Sequence, residues 1–169
     1  MVIWFIGKSA SGKTYIGKKL YQKLKLKFKN LVFLDGDSLR EILSKDLGYS
    51  KNDRFTSEER RSRLSKMLSD QNIHVIVSGI SNEPKIREWN RNNIDNYFEI
   101  YLETTKTTLY SRDPKGIYKD FIKGELKNVV GEDIKFNVPI SPWIKIDNNK
   151  QSSEDIINII MKKLEKIKL

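Results

Sequence analysis

The chain has 169 residues, 38% hydrophobic and 32% charged, with no cysteine and a formal net charge of +10. That balance suits one globular domain over 1–169 and excludes a disordered chain, a disulfide scaffold and thiolate chemistry. No apolar run approaches the roughly 20 residues of a membrane span. The N-terminus lacks the basic segment and small-residue cleavage site of a signal peptide, so a cytoplasmic protein is expected.

Residues 2–6, VIWFI, form a short continuous apolar run, the pattern of a strand buried on both faces. A glycine loop follows, and then Ile16, Leu20, Leu24 and Phe28 recur every four residues as a helical stripe with lysines mostly on the other face. Residues 31–34, LVFL, predict a second buried strand, and helical segments follow around 38–46 and 57–70. The mixed signs of SEERRSRLSK read as a solvated helix face. Residues 74–79 predict a third strand, EPKIREWNRNN a helix with Pro84 in its first turn, and residues 97–103 a fourth strand. A short helix leads to Arg112. The polar stretch 112–139, with Gly116, Gly124, Gly131 and Pro139, is long for a connection and reads as a lid. Residues 143–147 predict a fifth strand. The last helix can be capped by Ser152 or Ser153, with acids in its first turn and lysines in its last. His74 has no partner at metal spacing and reads as structural; Trp4, Trp89 and Trp143 read as packing residues. Alternating strands and helices predict an α/β fold with a mostly parallel five-stranded sheet flanked by helices, whose ligands bind beyond the carboxyl ends of the strands.

GKSASGKT, residues 7–14, fits the phosphate-loop pattern G-x-x-x-x-G-K-[ST] between a predicted strand and a predicted helix. Glycines let backbone N–H groups wrap closely around phosphates, and the helix start adds positive potential. ATP binding is therefore assigned to Gly7, Ser9, Ala10, Ser11, Gly12, Lys13 and Thr14, with no side-chain role for Ser9 or Ser11. Lys13 would bridge the β- and γ-phosphates and the Thr14 hydroxyl would reach Mg²⁺. The loop alone does not name a reaction, although a small domain with a lid suits a kinase of small molecules.

The stretch FLDGDSLRE ends the second strand with two carboxylates, Asp35 and Asp37, followed by Arg40. Two readings are open for each acid. It can cap the helix beginning near Ser38, or it can face the reacting centre. An oriented carboxylate can accept a hydroxyl proton late in a loose phosphoryl-transfer transition state, worth typically ~10²–10⁴-fold. Arg40 could keep such a carboxylate charged and also hold a substrate phosphate.

Downstream come DLGYSKNDR, VSGIS and RDPKGIYKDFIKGELKNVVG, in that order. With the phosphate loop and LDGDSLR, this succession over residues 2–139 resembles the adenylylsulfate kinases, P-loop kinases that phosphorylate the ribose 3′-hydroxyl of adenosine 5′-phosphosulfate with ATP. The resemblance implies that Asp37 is the base facing that hydroxyl and that Arg40 and Arg54 grip the substrate's 5′-side anion. It implies that Tyr49 lies against the substrate base, that Ile80 and Ser81 line the pocket, and that Asn128 and Val129 close over the base. Lys115 would neutralise charge on the transferred phosphoryl group, and Arg112 would lie near the ATP adenine; Asp113 could orient Arg112 by a salt bridge instead of binding anything. Ser81 stands either as an inert pocket hydroxyl or as a phospho-intermediate. Family members are commonly homodimers, and no membrane or nucleic-acid partner is implied.

Several positions depart from the family's pattern. Its D-R-x-E-N-I-R-R reads DRFTSEERR here, so Thr56 and Ser57 replace a glutamate and an asparagine; its K-N-F-T-G reads KNVVG, so Val129 replaces a phenylalanine that stacks on adenine. Base–aromatic stacking is worth roughly 1–3 kcal/mol per base. The family's usual N-terminal extension has no counterpart ahead of the strand at residue 2. Kept catalytic residues with an altered base shell suggest the same chemistry on a pyrimidine. A divergent branch of the family, the cytidine diphosphoramidate kinases of bacterial capsule synthesis, is similar in this respect. The alternatives are adenylylsulfate kinase activity proper and a basic P-loop ATPase that binds nucleic acid.

Overall fold

β1 (Val2–Ile6) is buried along its whole length, which only a central strand covered on both faces achieves. Its side chains alternate. Ile3 and Phe5 join a core with Ile16, Leu20 and Leu24 from the following helix, whereas Val2, Trp4 and Ile6 join a second core on the opposite face. The computed structural model describes residues 1–167; Lys168 and Leu169, the last two of the expected domain, lie outside the described residues.

The remaining elements follow in chain order: α1 (Lys13–Lys25), β2 (Leu31–Asp35), α2 (Gly36–Leu43), α3 (Lys51–Asp70), β3 (His74–Ser78), α4 (Pro84–Asn93) and β4 (Tyr97–Glu103). Then come α5 (Lys106–Arg112), α6 (Ile117–Ile122), β5 (Ile144–Asp147) and α7 (Ser153–Leu164). The strands form one parallel sheet in the order β2-β3-β1-β4-β5. Register places Asp35 beside Ser78 and Phe5 beside Ser78, so β1, β2 and β3 end level with one another. On one face α1 and α7 pack through Leu20, Ile156 and Ile160, all fully buried. Edge strand β5 buries Ile144 and Ile146 and exposes Lys145 and Asp147.

Two helices depart from their predicted extents. α2 begins at Gly36, not near Ser38, because the Asp35 carboxylate accepts from the N–H groups of Asp37 and Ser38. α3 begins at Lys51, capped by Ser50, which accepts from Asp53 N. Its buried face consists of Ser57, Glu58, Arg61, Ser62 and Ser65. An apolar stripe is therefore missing from the sequence, and the reading of SEERRSRLSK as wholly solvated is corrected. Glu59–Arg63 and Lys66–Asp70 do lie on the solvated side. The final helix is capped by Ser152.

Segment 112–139 divides in two. Its first part, through Val129, contains α6, and Tyr118 and Val129 pack with Leu109 of α5 in a small cluster. In its second half Val130 and Phe136 pack into the core of the second sheet face, and Asn137 N donates to Asn82 Oδ1 at 2.7 Å. Trp4 is a packing residue with a partner, its indole N–H donating to Ser81 Oγ at 2.6 Å. His74 lies edge-on to Phe28 at 4.6 Å and beside the N-terminal amine. No helix among the described residues is long and apolar enough to cross a membrane. Leu20→Ala empties a fully buried position; unfolding in urea should show a loss of about 2–5 kcal/mol.

Candidate active site

A cavity of about 450 Å³ opens at the carboxyl ends of β1, β2 and β3. The turn from β1 into α1 forms one wall. Gly12, the residue before the helix, adopts φ +84, and a Cβ there would come 2.9 Å from Asn148 Nδ2. Glycine meets both demands. Ser9, Ala10, Lys13 and Thr14 line the cavity, whereas Ser11 is fully buried and anchors the loop through its carbonyl, which accepts from Asn148 Nδ2 at 2.7 Å. Lys13 is only 8% exposed; its ammonium donates to Lys8 O at 2.6 Å and to Ser11 Oγ at 3.2 Å. Burial pulls its pKa down to about 7, with Asp37 opposing that shift.

Thr14 Oγ1 donates to Asp35 Oδ2 at 2.8 Å and lies 3.0 Å from Ser78 Oγ. Asp35 thus does two things at once: one oxygen caps α2 and the other holds the phosphate-loop hydroxyl. Two hydroxyls and a carboxylate are hard oxygen donors that fit Mg²⁺, an ion that keeps several waters and takes its remaining ligands from nucleotide phosphates. No cluster of three or more His, Cys, Asp or Glu among the described residues could hold a metal alone, as that mode of binding allows. Asp37 faces the same cavity with its side chain 70% exposed, and it pairs with Lys115 from the segment before α6.

The acceptor side is built by α2, α3 and residues 126–130. Arg40 donates to the carbonyls of Leu47 and Gly48, and its guanidinium lies 4.1 Å from the Tyr49 ring centroid. Arg54 lies 5.3 Å from the same centroid and donates to Tyr49 O and to Asn128 O, the latter at 2.6 Å. Two guanidinium groups therefore already stack on Tyr49. Asn128 adopts φ +62, and the Asp133 carboxylate accepts from its N–H and from that of Val129. Val129 is 4% exposed and packs with Leu109 and Tyr118, yet still lines the cavity, as do Ser57 and Ile80.

Besides Gly7, Ser11 and Gly12 of the phosphate loop, two sequence-predicted residues lie outside the cavity lining. Ser81 is 2% exposed behind the cavity wall, accepting from Trp4, and does not line the cavity. Arg112 donates to Asn148 O at 2.9 Å, which places it by the loop after β5 that also holds Ser11. Asp113 does not pair with it; that carboxylate accepts from the N–H groups of Tyr118 and Lys119 at the start of α6.

Motif reading missed Glu58, Arg61, Ser78 and Asn148. Both Glu58 oxygens accept from backbone N–H groups, those of Asn82 and Glu83. Burial raises the Glu58 carboxyl and lowers the Arg61 guanidinium from their ordinary values, each opposing the other's shift. A helical wheel of α3 puts Arg54, Ser57, Glu58 and Arg61 on one side, the one signal available in the sequence.

The family model for adenylylsulphate kinase matches residues 1–147. The chain is 42% identical over 96% of its length to the cytidine diphosphoramidate kinase of Campylobacter jejuni, covering 95% of that protein. It is 35% identical over 96% of its length to a probable adenylyl-sulfate kinase of Pseudomonas aeruginosa, covering 76% of that one. The Mycobacterium tuberculosis APS kinase, solved in complex with AMPPNP and APS, superimposes with a TM-score of 0.87 at 31% identity, covering 97% of this chain and 96% of that one.

Phosphate favours the charged form of Lys13, whose pKa burial pulls down to about 7. Nucleotide binding above that pH must take up a proton, so affinity for ATP should fall as pH rises from about 7 to about 9. Calorimetric enthalpies should then vary with the ionisation enthalpy of the buffer. Lys13→Met should abolish the proton uptake, and pH-independent affinity in the native protein would contradict the assignment.

Proposed function

We propose, for a chain that belongs to the adenylylsulfate kinase family and so is an ATP-dependent phosphotransferase with an alcohol acceptor, that the acceptor is the ribose 3′-hydroxyl of cytidine diphosphoramidate, in capsule phosphoramidate synthesis. The observation that carries this reading is the base-facing shell. Val129 belongs to a buried aliphatic–aromatic cluster, and Tyr49, packed by Arg40 and Arg54, is the one aromatic residue lining the cavity among the described residues, so no pair of aromatic rings clamps a purine there. A pyrimidine has a smaller face and loses less from that change. The similarity to a protein of that name over nearly both full lengths supports the same choice. The family match itself favours adenylyl sulfate as the second reading.

The reaction follows from the residues around the cavity. The acceptor 3′-oxygen attacks the γ-phosphorus in line, the bond to the β,γ-bridging oxygen breaks with its electrons leaving on ADP, and the hydroxyl proton passes to Asp37. Lys13 holds the β- and γ-phosphates, with Gly7, Ser9, Ala10, Ser11 and Gly12 shaping the loop around them. Mg²⁺ bound at Thr14, beside Asp35, would neutralise charge on the phosphates. Lys115, which pairs with Asp37, neutralises charge on the transferring phosphoryl group. Arg112 borders the adenine of ATP; Arg40, Arg54 and Ser57 hold the acceptor, with Ile80 and Asn128 beside it. Segment 112–139 closes through its first half only, because its second half is core. On the family's common pattern we read the protein as a cytoplasmic homodimer.

Steady-state comparison decides the substrate: kcat/KM should be higher for cytidine diphosphoramidate than for adenylyl sulfate, and the reverse order would overturn the reading. Val129→Phe should shift preference toward adenine nucleotides by about 10-fold or more. Asp37→Asn should lower kcat by about 10²–10⁴-fold with little change in nucleotide affinity; an unchanged kcat would remove Asp37 from the role.

A further inference from the structure

Arg61 lies one turn beyond Ser57 and two beyond Arg54, on the side of α3 that lines the cavity. It is 8% exposed. Its guanidinium fills the gap between the carboxyl ends of β2 and β3. A Cβ on Gly36 would come 2.8 Å from its Nη1, and a Cβ on Gly79 would overlap that atom. The absence of a side chain at position 79 is therefore what gives the guanidinium its room.

No ion pair among the described residues involves Arg61, and no hydrogen bond to its guanidinium is present among them. Buried Arg87, by contrast, donates to the carbonyls of Ser81 and Asn137. Glu58, one turn earlier on α3, has both oxygens committed to Asn82 and Glu83. Glu58, Asp35 and Asp37 act on this cation only through space, without a hydrogen bond, and a buried, cavity-lining guanidinium whose donors are uncommitted is set up for an anion.

Topology says which anion. The phosphate loop follows β1, and its outer support, Arg112 and Asn148, comes from the β4–β5 side. Arg61 lies on the other side of β1, between β2 and β3, in the acceptor half. We propose that Arg61 binds the anionic 5′-phosphate end of the acceptor nucleotide, as a third cation beside Arg40 and Arg54. Those two already donate to the carbonyls of Leu47, Gly48, Tyr49 and Asn128, so Arg61 brings the uncommitted fork. This assignment rests on the acceptor being a nucleoside 5′-anhydride bound in this cavity, the reading proposed above.

Arg61→Leu removes the charge with little loss of volume, and a melting curve checks that the variant folds. The acceptor KM should rise about 10- to 100-fold, the range expected for hydrogen bonds to a charged group, while the ATP KM holds. With the donor site filled by a non-hydrolysable ATP analogue, calorimetry should show that CDP loses affinity on this substitution and that cytidine, which lacks the phosphate, does not. Gly79→Ala, which evicts the guanidinium but leaves residue 61 intact, should reproduce the acceptor defect. A rise in ATP KM alone would move Arg61 to the donor phosphates and overturn the proposal. Unchanged constants for both substrates would make Arg61 a space filler and overturn it equally. Running both acceptors separates the two readings: if wild type prefers adenylyl sulfate, the base assignment falls while Arg61 is still tested on that substrate.

Discussion

Parallel strands that pair in register must end together, and here β1, β2 and β3 end at the level of Ser78. That shared edge brings together three separate parts of the chain, with the Thr14 hydroxyl within 3.0 Å of both the Asp35 carboxylate and the Ser78 hydroxyl. The edge holds because β1 is sealed between two cores and cannot shift by a residue without turning Ile3 and Phe5 to the wrong face. The site's precision comes from the sheet's register, with the loops only completing it.

Charge is the second constraint. Lys13 and Arg61 are buried cations, Asp35 is committed to a cap and a hydroxyl, and Asp37 is paired with Lys115. Removing cations from water is unfavourable unless anions compensate, and the cavity contributes fewer free carboxylates than cations. Its field therefore selects polyanionic ligands, which two nucleotides facing each other across a phosphoryl group supply. The overall +10 has a local counterpart in this cluster, although many lysines lie on the solvated face of α1.

Much of the site was legible because its residues carry sequence-local signals. The glycine and lysine spacing of residues 7–14 and the acids after an apolar run need no tertiary information. Ser81, Arg61 and Glu58 were not legible. Ser81 looks like a pocket serine until Trp4, 77 positions away in the chain, claims its hydroxyl. Arg61 sits in a charge-rich stretch indistinguishable from a solvated helix, because its burial depends on Gly36 and Gly79 leaving room. Segment 112–139 reads as a single polar connection, yet Val130 and Phe136 are core residues.

By itself the sequence determined the five strands, their alternation with helices, the phosphate loop and the pair of acids, since each follows from local periodicity, spacing or turn chemistry. Tertiary structure alone decided the strand order, the division of 112–139, the double commitment of Asp35 and the burial of a polar face on α3. Those properties arise from contacts between residues distant in the chain. A buried charge and an exposed one are spelled with the same letter, and only packing tells them apart.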